Sequence, residues 1–246
     1  TDNAIADLNL GDAETATDLH VHNDVYAANV NFLNPDATLS FAEADLSVNG
    51  NLVADTDGYG IVDANDNIAT ITGTVGSEGL AIQKIEIGAD KTVIVESDVY
   101  ADQIIFGCAN ATLVSAGDLS IHADAVTLGA NTGDIVTNSN LNFDGNIGTS
   151  DDALNQIKIA DSTTFTANQD VYTNSVYFGD ADSTLVLAGA DNTTSIVDVI
   201  DPANANSQGI LQFTASGTNT VKATFGTEDN SFAQLDALSE SGTLVF

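Results

Sequence analysis

Apolar and polar residues alternate along most of the chain. The segments 85–87, 93–95 and 119–121 have the sequences Ile-Glu-Ile, Val-Ile-Val and Leu-Ser-Ile. A period of two residues predicts β-strands, because successive side chains of a strand point to opposite faces. Turn sequences such as Asn-Gly at 49–50, Ala-Gly-Asp at 116–118 and Asp-Gly at 144–145 separate the alternating segments along the chain. No apolar pattern of helical period intervenes, so the sequence predicts an all-β fold.

A set of landmarks occurs three times in the same order. Each set contains an Asp-Val-Tyr triplet, then an apolar-x-Phe triplet, then a small residue followed by Thr-Leu. The tyrosines Tyr26, Tyr100 and Tyr172 are separated by 74 and then 72 positions. Such self-similarity is the signature of a repeat architecture. The matching segments are 24–26, 30–32 and 37–39; 98–100, 104–106 and 111–113; and 170–172, 176–178 and 183–185.

A glycine landmark supports the same period. The segment 73–76 (Gly-Thr-Val-Gly) matches 145–148 (Gly-Asn-Ile-Gly), and an alternating isoleucine pair follows each of them at 85–87 and 157–159. The sequence therefore predicts a single elongated repeat domain. Its predicted repeats cover about 1–76, 77–148 and 149–226, with a partial repeat over 227–246, all within domain 1–246.

Two architectures are compatible with a repeat of this length. The first is a parallel β-solenoid (β-helix) with about three coils of about 24 residues in each repeat. The alternative is a row of tandem β-sandwich domains. The repeats follow one another without a linker, and the chain has only 2 prolines. These features favour the solenoid.

The charge balance is extreme. The chain has 36 Asp and Glu residues against 4 Lys and Arg, which gives a net charge of −32. Nucleic acids and anionic membrane surfaces are excluded as partners, because both are bound through cationic side chains. A solvated acidic shell explains the charge most simply. Binding of divalent cations and a halophilic source are the alternatives.

One segment suggests calcium as a cofactor. Residues 55–67 contain Asp55, Asp57, Asp63 and Asp66, and Gly58 follows the second of these. Carboxylates near a glycine turn are typical of calcium loops. The spacing does not complete an EF-hand pattern, since no glutamate stands at the last ligand position. A plain turn built on aspartate and asparagine is the competing interpretation.

Other polar and aromatic positions have simpler interpretations. His20 and His22 would share one strand face, where Asp18 or Asp24 could add a metal ligand; surface histidines are the simpler interpretation. The three repeated tyrosines are expected to fill core positions, and the aspartates before them (Asp24, Asp98 and Asp170) to cap the preceding turns. The single thiol, Cys108, is expected in the core.

Catalytic signatures are missing from the sequence. It has no Gly-x-Ser-x-Gly, no His-Glu-x-x-His and no phosphate-binding loop with Lys. We therefore expect a protein that is not an enzyme. A carbohydrate-active enzyme is the least favoured alternative, because the many carboxylates could form a catalytic pair.

The order of apolar landmarks in the later repeats is distinctive. It comprises 145–148, 153–154, the isoleucines at 157 and 159, then 171, 176–178, 183–189, 209–213 and 220–221. These landmarks cover most of residues 60–246. Through them the chain resembles the repeats in the passenger regions of rickettsial outer-membrane surface antigens, which are autotransporters. The resemblance implies a secreted β-helical passenger at the bacterial cell surface, acting in adhesion or in a protein surface layer.

These observations favour a secreted structural protein. The chain would be a subunit of an extracellular layer or filament, or an adhesin stalk. Because it begins without Met or a leader, we expect it to be a processed product. Its partner would be itself, because the two ends of a solenoid carry unpaired backbone groups that a second copy can continue head to tail. The alternative is a monomeric adhesin that binds a host surface protein or glycan. The predicted assembly residues are Thr1, Leu8, Leu10, Leu244 and Phe246.

Overall fold

Short strands account for all the regular structure in the described part of the chain. A computed structural model describes residues 5–189, 193–199, 208–214, 217–223, 231–238 and 242–245. The strands are Ile5–Leu10 (β1), Asp18–Val21 (β2), Val25–Phe32 (β3), Thr38–Phe41 (β4), Leu46–Ala54 (β5), Ile61–Ala64 (β6), Ala69–Ile71 (β7), Ile82–Ile87 (β8), Thr92–Val95 (β9), Val99–Phe106 (β10), Thr112–Ser115 (β11), Leu119–Thr127 (β12), Thr132–Thr137 (β13), Leu141–Phe143 (β14), Leu154–Ile159 (β15), Thr164–Ala167 (β16), Val171–Phe178 (β17), Thr184–Leu187 (β18), Thr193–Val199 (β19), Gln208–Phe213 (β20), Gly217–Ala223 (β21), Phe232–Ala237 (β22) and Gly242–Val245 (β23).

Every strand pairs in parallel with the strand two places away along the chain. The odd-numbered strands form one continuous series and the even-numbered strands a second. Residues that are hydrogen-bonded through their side chains between neighbouring coils lie 18 to 26 positions apart. Such stacking of parallel coils confirms the predicted β-solenoid. It excludes tandem sandwiches, whose strands would be antiparallel within separate domains.

Each coil passes through three columns of residues paired in register, so the solenoid has three faces. The columns are formed by apolar side chains that point inward, nearly all of them fully buried. The alternation seen in the sequence places these side chains in the core, and their polar neighbours outside. In the early coils the first column contains Val25, Val48, Ile71 and Val95; the second contains Leu52, Val75, Val99 and Ile121; the third contains Leu39, Val62, Ile85 and Ile104.

The sequence repeat and the structural coil have different lengths. Three coils after Val25, the first column reaches Val95. The repeat equivalent of Val25 is instead Val99, which lies in the second column, and the next equivalent, Val171, lies in the third. One repeat thus spans three coils and one additional face, rather than the three coils of about 24 residues that the sequence suggested. Successive repeats place the same landmarks on successive faces of the rod.

The long strands show the same rotation. β3, β10 and β17 are each 8 residues long and occupy equivalent positions in the three repeats. Each bends around a corner between two faces, and in β3 and β10 the register shifts at the bend, after Tyr26 and Tyr100. The bend moves from one corner to the next with each repeat.

The glycine landmark is a contact between neighbouring coils. Val75 and Ile147 form isolated bridges that replace a strand on one face of their coil. The Val75 amide donates to the Asp98 carbonyl over 3.0 Å, and the Tyr100 amide donates to the Val75 carbonyl over 2.7 Å. Ile147 makes equivalent bonds in the next repeat. This explains why the glycine landmark and the Asp-Val-Tyr triplet recur together.

Candidate functional site

The first described coil is open on its outer side. In the described ranges, β1 lies at the end of its series and pairs only with β3. Leu10 is buried, Leu8 is half-buried against the core, and Ile5 is 49% exposed. Burial therefore decreases along β1 from Leu10 toward Ile5. This edge offers free backbone groups next to apolar side chains.

The last described coils show the same loss of burial at the other end. Leu235 continues a core column whose earlier members are almost completely buried, yet Leu235 itself is 48% exposed, and nearby Leu238 is 58% exposed. Phe232 packs partly against the core. The earlier members of the column are Leu119, Leu141, Phe165, Leu185 and Leu211. Leu235 is exposed because no described coil covers it.

The predicted assembly residues are only partly within the described chain. Leu8 and Leu10 lie in β1, as an assembly edge requires. Leu244 lies in β23, the last described strand, which pairs with β21 of the preceding coil. Thr1 and Phe246 lie outside the described residues. Two end residues that the sequence did not single out are Leu235 and Leu238.

Outward polar side chains link neighbouring coils. Asp24 and Asp98 accept hydrogen bonds from the amides of Ser47 and Ser120, both over 2.8 Å. These partners belong to the next coil, so the expectation that the two aspartates cap the turns before their own strands is wrong. Local capping is replaced because the stacked coil brings an amide directly above each carboxylate.

A stack of side chains runs along one face across four coils. The Tyr100 ring stacks on the His122 ring at 4.3 Å, and His122 Nδ1 lies 2.6 Å from Asp144 Oδ2. Asp144 Oδ1 accepts hydrogen bonds from the side-chain Nδ2 atoms of Asn142 and Asn168, the latter over 2.5 Å. We call Tyr100, His122, Asp144 and Asn168 the polar stack. Their spacing of 22 to 24 positions equals one coil, and it could be found in the sequence only once the coil length was known.

A cavity of about 370 Å³ lies at the corner occupied by the second glycine landmark. Asp124, Asn146, Gly148, Asp170 and Tyr172 line it. Asp124 Oδ1 accepts hydrogen bonds from the backbone amide of Asn146 over 2.8 Å and from its side chain over 3.2 Å. Tyr172 is half-buried. We call this cavity the corner cleft.

The repeated tyrosines are not core residues. Tyr26 is 52% exposed, and Tyr100 and Tyr172 are half-buried. In each triplet the preceding valine points inward, so strand alternation turns the tyrosine outward. The core prediction for these residues is wrong. The aromatic residues that fill the core are the repeat's phenylalanines, such as Phe32 and Phe106.

The predicted calcium ligands are distributed over two turns and one strand. Asp57 Oδ1 accepts a hydrogen bond from the Ala81 amide of the next coil over 2.9 Å. Asp63, on β6, accepts one from the Asn65 amide over 2.9 Å. Asp55 and Asp66 are exposed. Among the described residues, no three or more His, Cys, Asp or Glu side chains form a group that could hold a metal ion.

The two histidines near the first described coil pair with separate acids. His20 Nε2 lies 3.1 Å from Asp18 Oδ2, and His22 Nδ1 lies 3.5 Å from Glu43 Oε1. All four side chains are more than half exposed. The structure does not join the two imidazoles around one centre.

Cys108 is exposed rather than buried, so the core prediction for this thiol is wrong. It follows the inward-pointing Phe106 and lies in the turn that ends at Asn110, whose φ is +59°. The strand has ended before Cys108, and strand alternation no longer directs its side chain inward.

Among the residues that the structure describes, Asp102 and Asp180 have altered pKa values. Burial, and secondly the charge of Asp57, raises the pKa of Asp102. The Ser162 backbone amide, which donates to Asp180, lowers the pKa of Asp180 against a smaller effect of burial, with further help from the Ser183 hydroxyl.

Comparison with known proteins gives no relatives. No protein-family model matches the chain, and no curated protein and no solved structure is significantly similar to it. The ranges that the structure describes contain no helix long and apolar enough to cross a membrane. Any statement on function therefore rests on the geometry of the solenoid.

Proposed function

We propose that this chain is a secreted structural protein of an extracellular layer, filament or stalk, and that it assembles end to end. The observation that carries the proposal is the pair of open solenoid ends. Each end combines a free strand edge with exposed apolar side chains, Ile5 at one end and Leu235 and Leu238 at the other. Such an edge is a template for another strand.

A second copy of the chain would cover both ends. Within the described residues the columns of inward side chains continue from coil to coil, so the last described coil of one copy would present apolar positions to the first described coil of another. A contact between two different surfaces of the same molecule does not close on itself and produces an open filament. The net charge of −32 keeps the sides of the rods apart and directs association to the ends.

A substitution at the open end tests this proposal. Leu235→Lys places a charge at the end of a core column without changing any interior coil. We expect wild-type protein to form longer species as its concentration rises, and the variant to remain monomeric over about a hundredfold range of concentration. Sedimentation velocity measures the species, and negative-stain microscopy shows whether they are linear.

The control is Leu128→Lys. Leu128 is 68% exposed but lies in a lateral turn after β12, away from both ends. This variant should assemble like the wild type. The proposal is wrong if wild-type protein stays monomeric at every concentration, or if the two lysine variants lose assembly equally.

A further inference from the structure

We propose that the corner cleft, lined by Asp124, Asn146, Gly148, Asp170 and Tyr172, binds a neutral polysaccharide. The cleft lies on the side of the rod and does not involve the ends. Its volume of about 370 Å³ is at the lower end of the range of about 300–1,000 Å³ for small-molecule sites. A lateral site of this size suits a short segment of a longer sugar chain.

The chemistry of the lining suits sugar hydroxyls. A carboxylate accepts hydrogen bonds, and a carboxamide both donates and accepts. Asp124 Oδ1 is engaged by Asn146, while Asp124 Oδ2 accepts no hydrogen bond from the described residues. That oxygen is available to a hydroxyl. Thr149 also lines the cleft.

An aromatic ring completes the site. A pyranose presents a face of C–H groups, which packs on aromatic rings as other apolar surfaces do. Tyr172 is half-buried and borders the cleft. In the preceding repeat the equivalent Tyr100 stacks on His122 at 4.3 Å, so a ring at this position accepts a flat partner. The residue paired with Tyr172 in register is Ser195, which is not aromatic.

The charge of the lining excludes an anionic ligand. Two carboxylates, Asp124 and Asp170, line the cleft, and none of the four lysines is among the described residues that line it. The whole chain carries −32. An acidic polysaccharide would be repelled both locally and at a distance.

The backbone of the cleft recurs in the preceding repeat. Asn51 accepts a hydrogen bond from the Thr74 amide over 3.1 Å, as Asp124 does from the Asn146 amide. Gly76 and Gly148 both have a φ of +63°. The backbone arrangement is therefore common to both repeats, whereas the carboxylate of Asp124, which stands where the preceding repeat has the carboxamide of Asn51, distinguishes the second copy.

The test uses the full chain and three neutral probes: cellohexaose, maltohexaose and hexa-N-acetylchitohexaose. Hexagalacturonate is an anionic probe of the same length. We expect isothermal titration calorimetry to detect at least one neutral probe with a Kd below about 1 mM and no binding of hexagalacturonate. Tyr172→Ala should weaken that binding at least about tenfold, and Tyr172→Phe should retain it.

Two further variants make the result specific. Asp124→Asn keeps the acceptor for the Asn146 amide, as Asn51 does in the preceding repeat, and should weaken binding by removing the carboxylate. Tyr177→Ala removes a half-buried tyrosine of the same strand outside the cleft and should leave binding unchanged. The proposal is overturned if no neutral probe binds, if hexagalacturonate binds as well, or if binding is insensitive to both Asp124→Asn and Tyr172→Ala.

Discussion

Asp102 and Asp180 lie in opposite electrostatic surroundings. Burial and the neighbouring charge of Asp57 raise the pKa of Asp102, so its ionised form is disfavoured in the folded state. Hydrogen bonds led by the Ser162 amide lower the pKa of Asp180, so its ionised form is favoured. Ionisation of Asp102 therefore opposes folding, and ionisation of Asp180 supports it.

Replacing each aspartate with asparagine should therefore change stability in opposite directions. At neutral pH we expect Asp102→Asn to melt at a higher temperature than the wild type and Asp180→Asn at a lower one. The Asp102 penalty is absent below the ordinary pKa of 3.8, where the group is protonated in both states. The Asp180 contribution is present above 3.8 and is lost as pH falls through its lowered folded pKa.

Thermal melts followed by circular dichroism from neutral pH to below 3.8 measure both effects. Each difference from wild type should shrink as the pH falls. Melting temperatures that both rise or both fall relative to the wild type at neutral pH would contradict this account.

At the level of single residues, strand alternation predicted correctly whether a side chain points inward or outward within strands, but not in the turns beyond them. In the strands predicted from alternation, Ile85, Ile87 and Ile121 all point into the core. Tyr100 was misplaced because an aromatic residue was assigned to the core by its type, although its neighbour Val99 already occupied the inward position. Cys108 was misplaced because it lies in a turn, where sequence type alone does not determine direction.

The contact between neighbouring coils is closest where a glycine lies beneath a carbonyl. A Cβ atom at Gly145 would lie 1.9 Å from the Ala123 carbonyl oxygen, and one at Gly73 would lie 2.3 Å from the Gly50 carbonyl oxygen. Backbone cannot move away as a flexible side chain can. These glycines therefore fix the stacking distance at the two corners where they lie.

Gly145→Ala should destabilise the protein by about 3 kcal/mol, the upper part of the usual range for overpacking. The matched control is Gly129→Ala, because a Cβ there would meet only the Thr132 methyl group at 3.8 Å. That variant should remain within about 0.5 kcal/mol of the wild type. Urea unfolding gives both values, and equal effects of the two substitutions would exclude close coil contact at Gly145 as the cause.

The elements and their parallel stacking followed from the sequence, but the length of the coil did not. Period-two alternation and the repeat near 72 residues were enough to predict a solenoid. The repeat suggested three coils, because nothing in a single sequence marks where one coil ends and the next begins. For the same reason the polar stack was missed, although Tyr100, His122 and Asp144 are spaced by one coil.

Stability in the whole molecule should vary along the rod. Each coil of a solenoid contacts only its neighbours, so an interior coil is held from both sides and an end coil from one. We expect hydrogen exchange to be slowest in β12, near the middle, and fastest in β1 and β22. Exchange measured by mass spectrometry tests this, and uniform protection along the chain would contradict it.

Because each repeat adds one extra face, the number of repeats sets both the length of the rod and the rotation of its far end about the rod axis. Adding or removing one whole repeat keeps every local coil contact, because equivalent residues meet at the new junction. Everything beyond that junction turns by one face, since Val25, Val99 and Val171 lie in different columns. A chain with one more or one fewer repeat would thus have its far end rotated about the rod axis by one face. Duplication of a repeat would change both the length of the rod and the direction in which each face at its far end is turned.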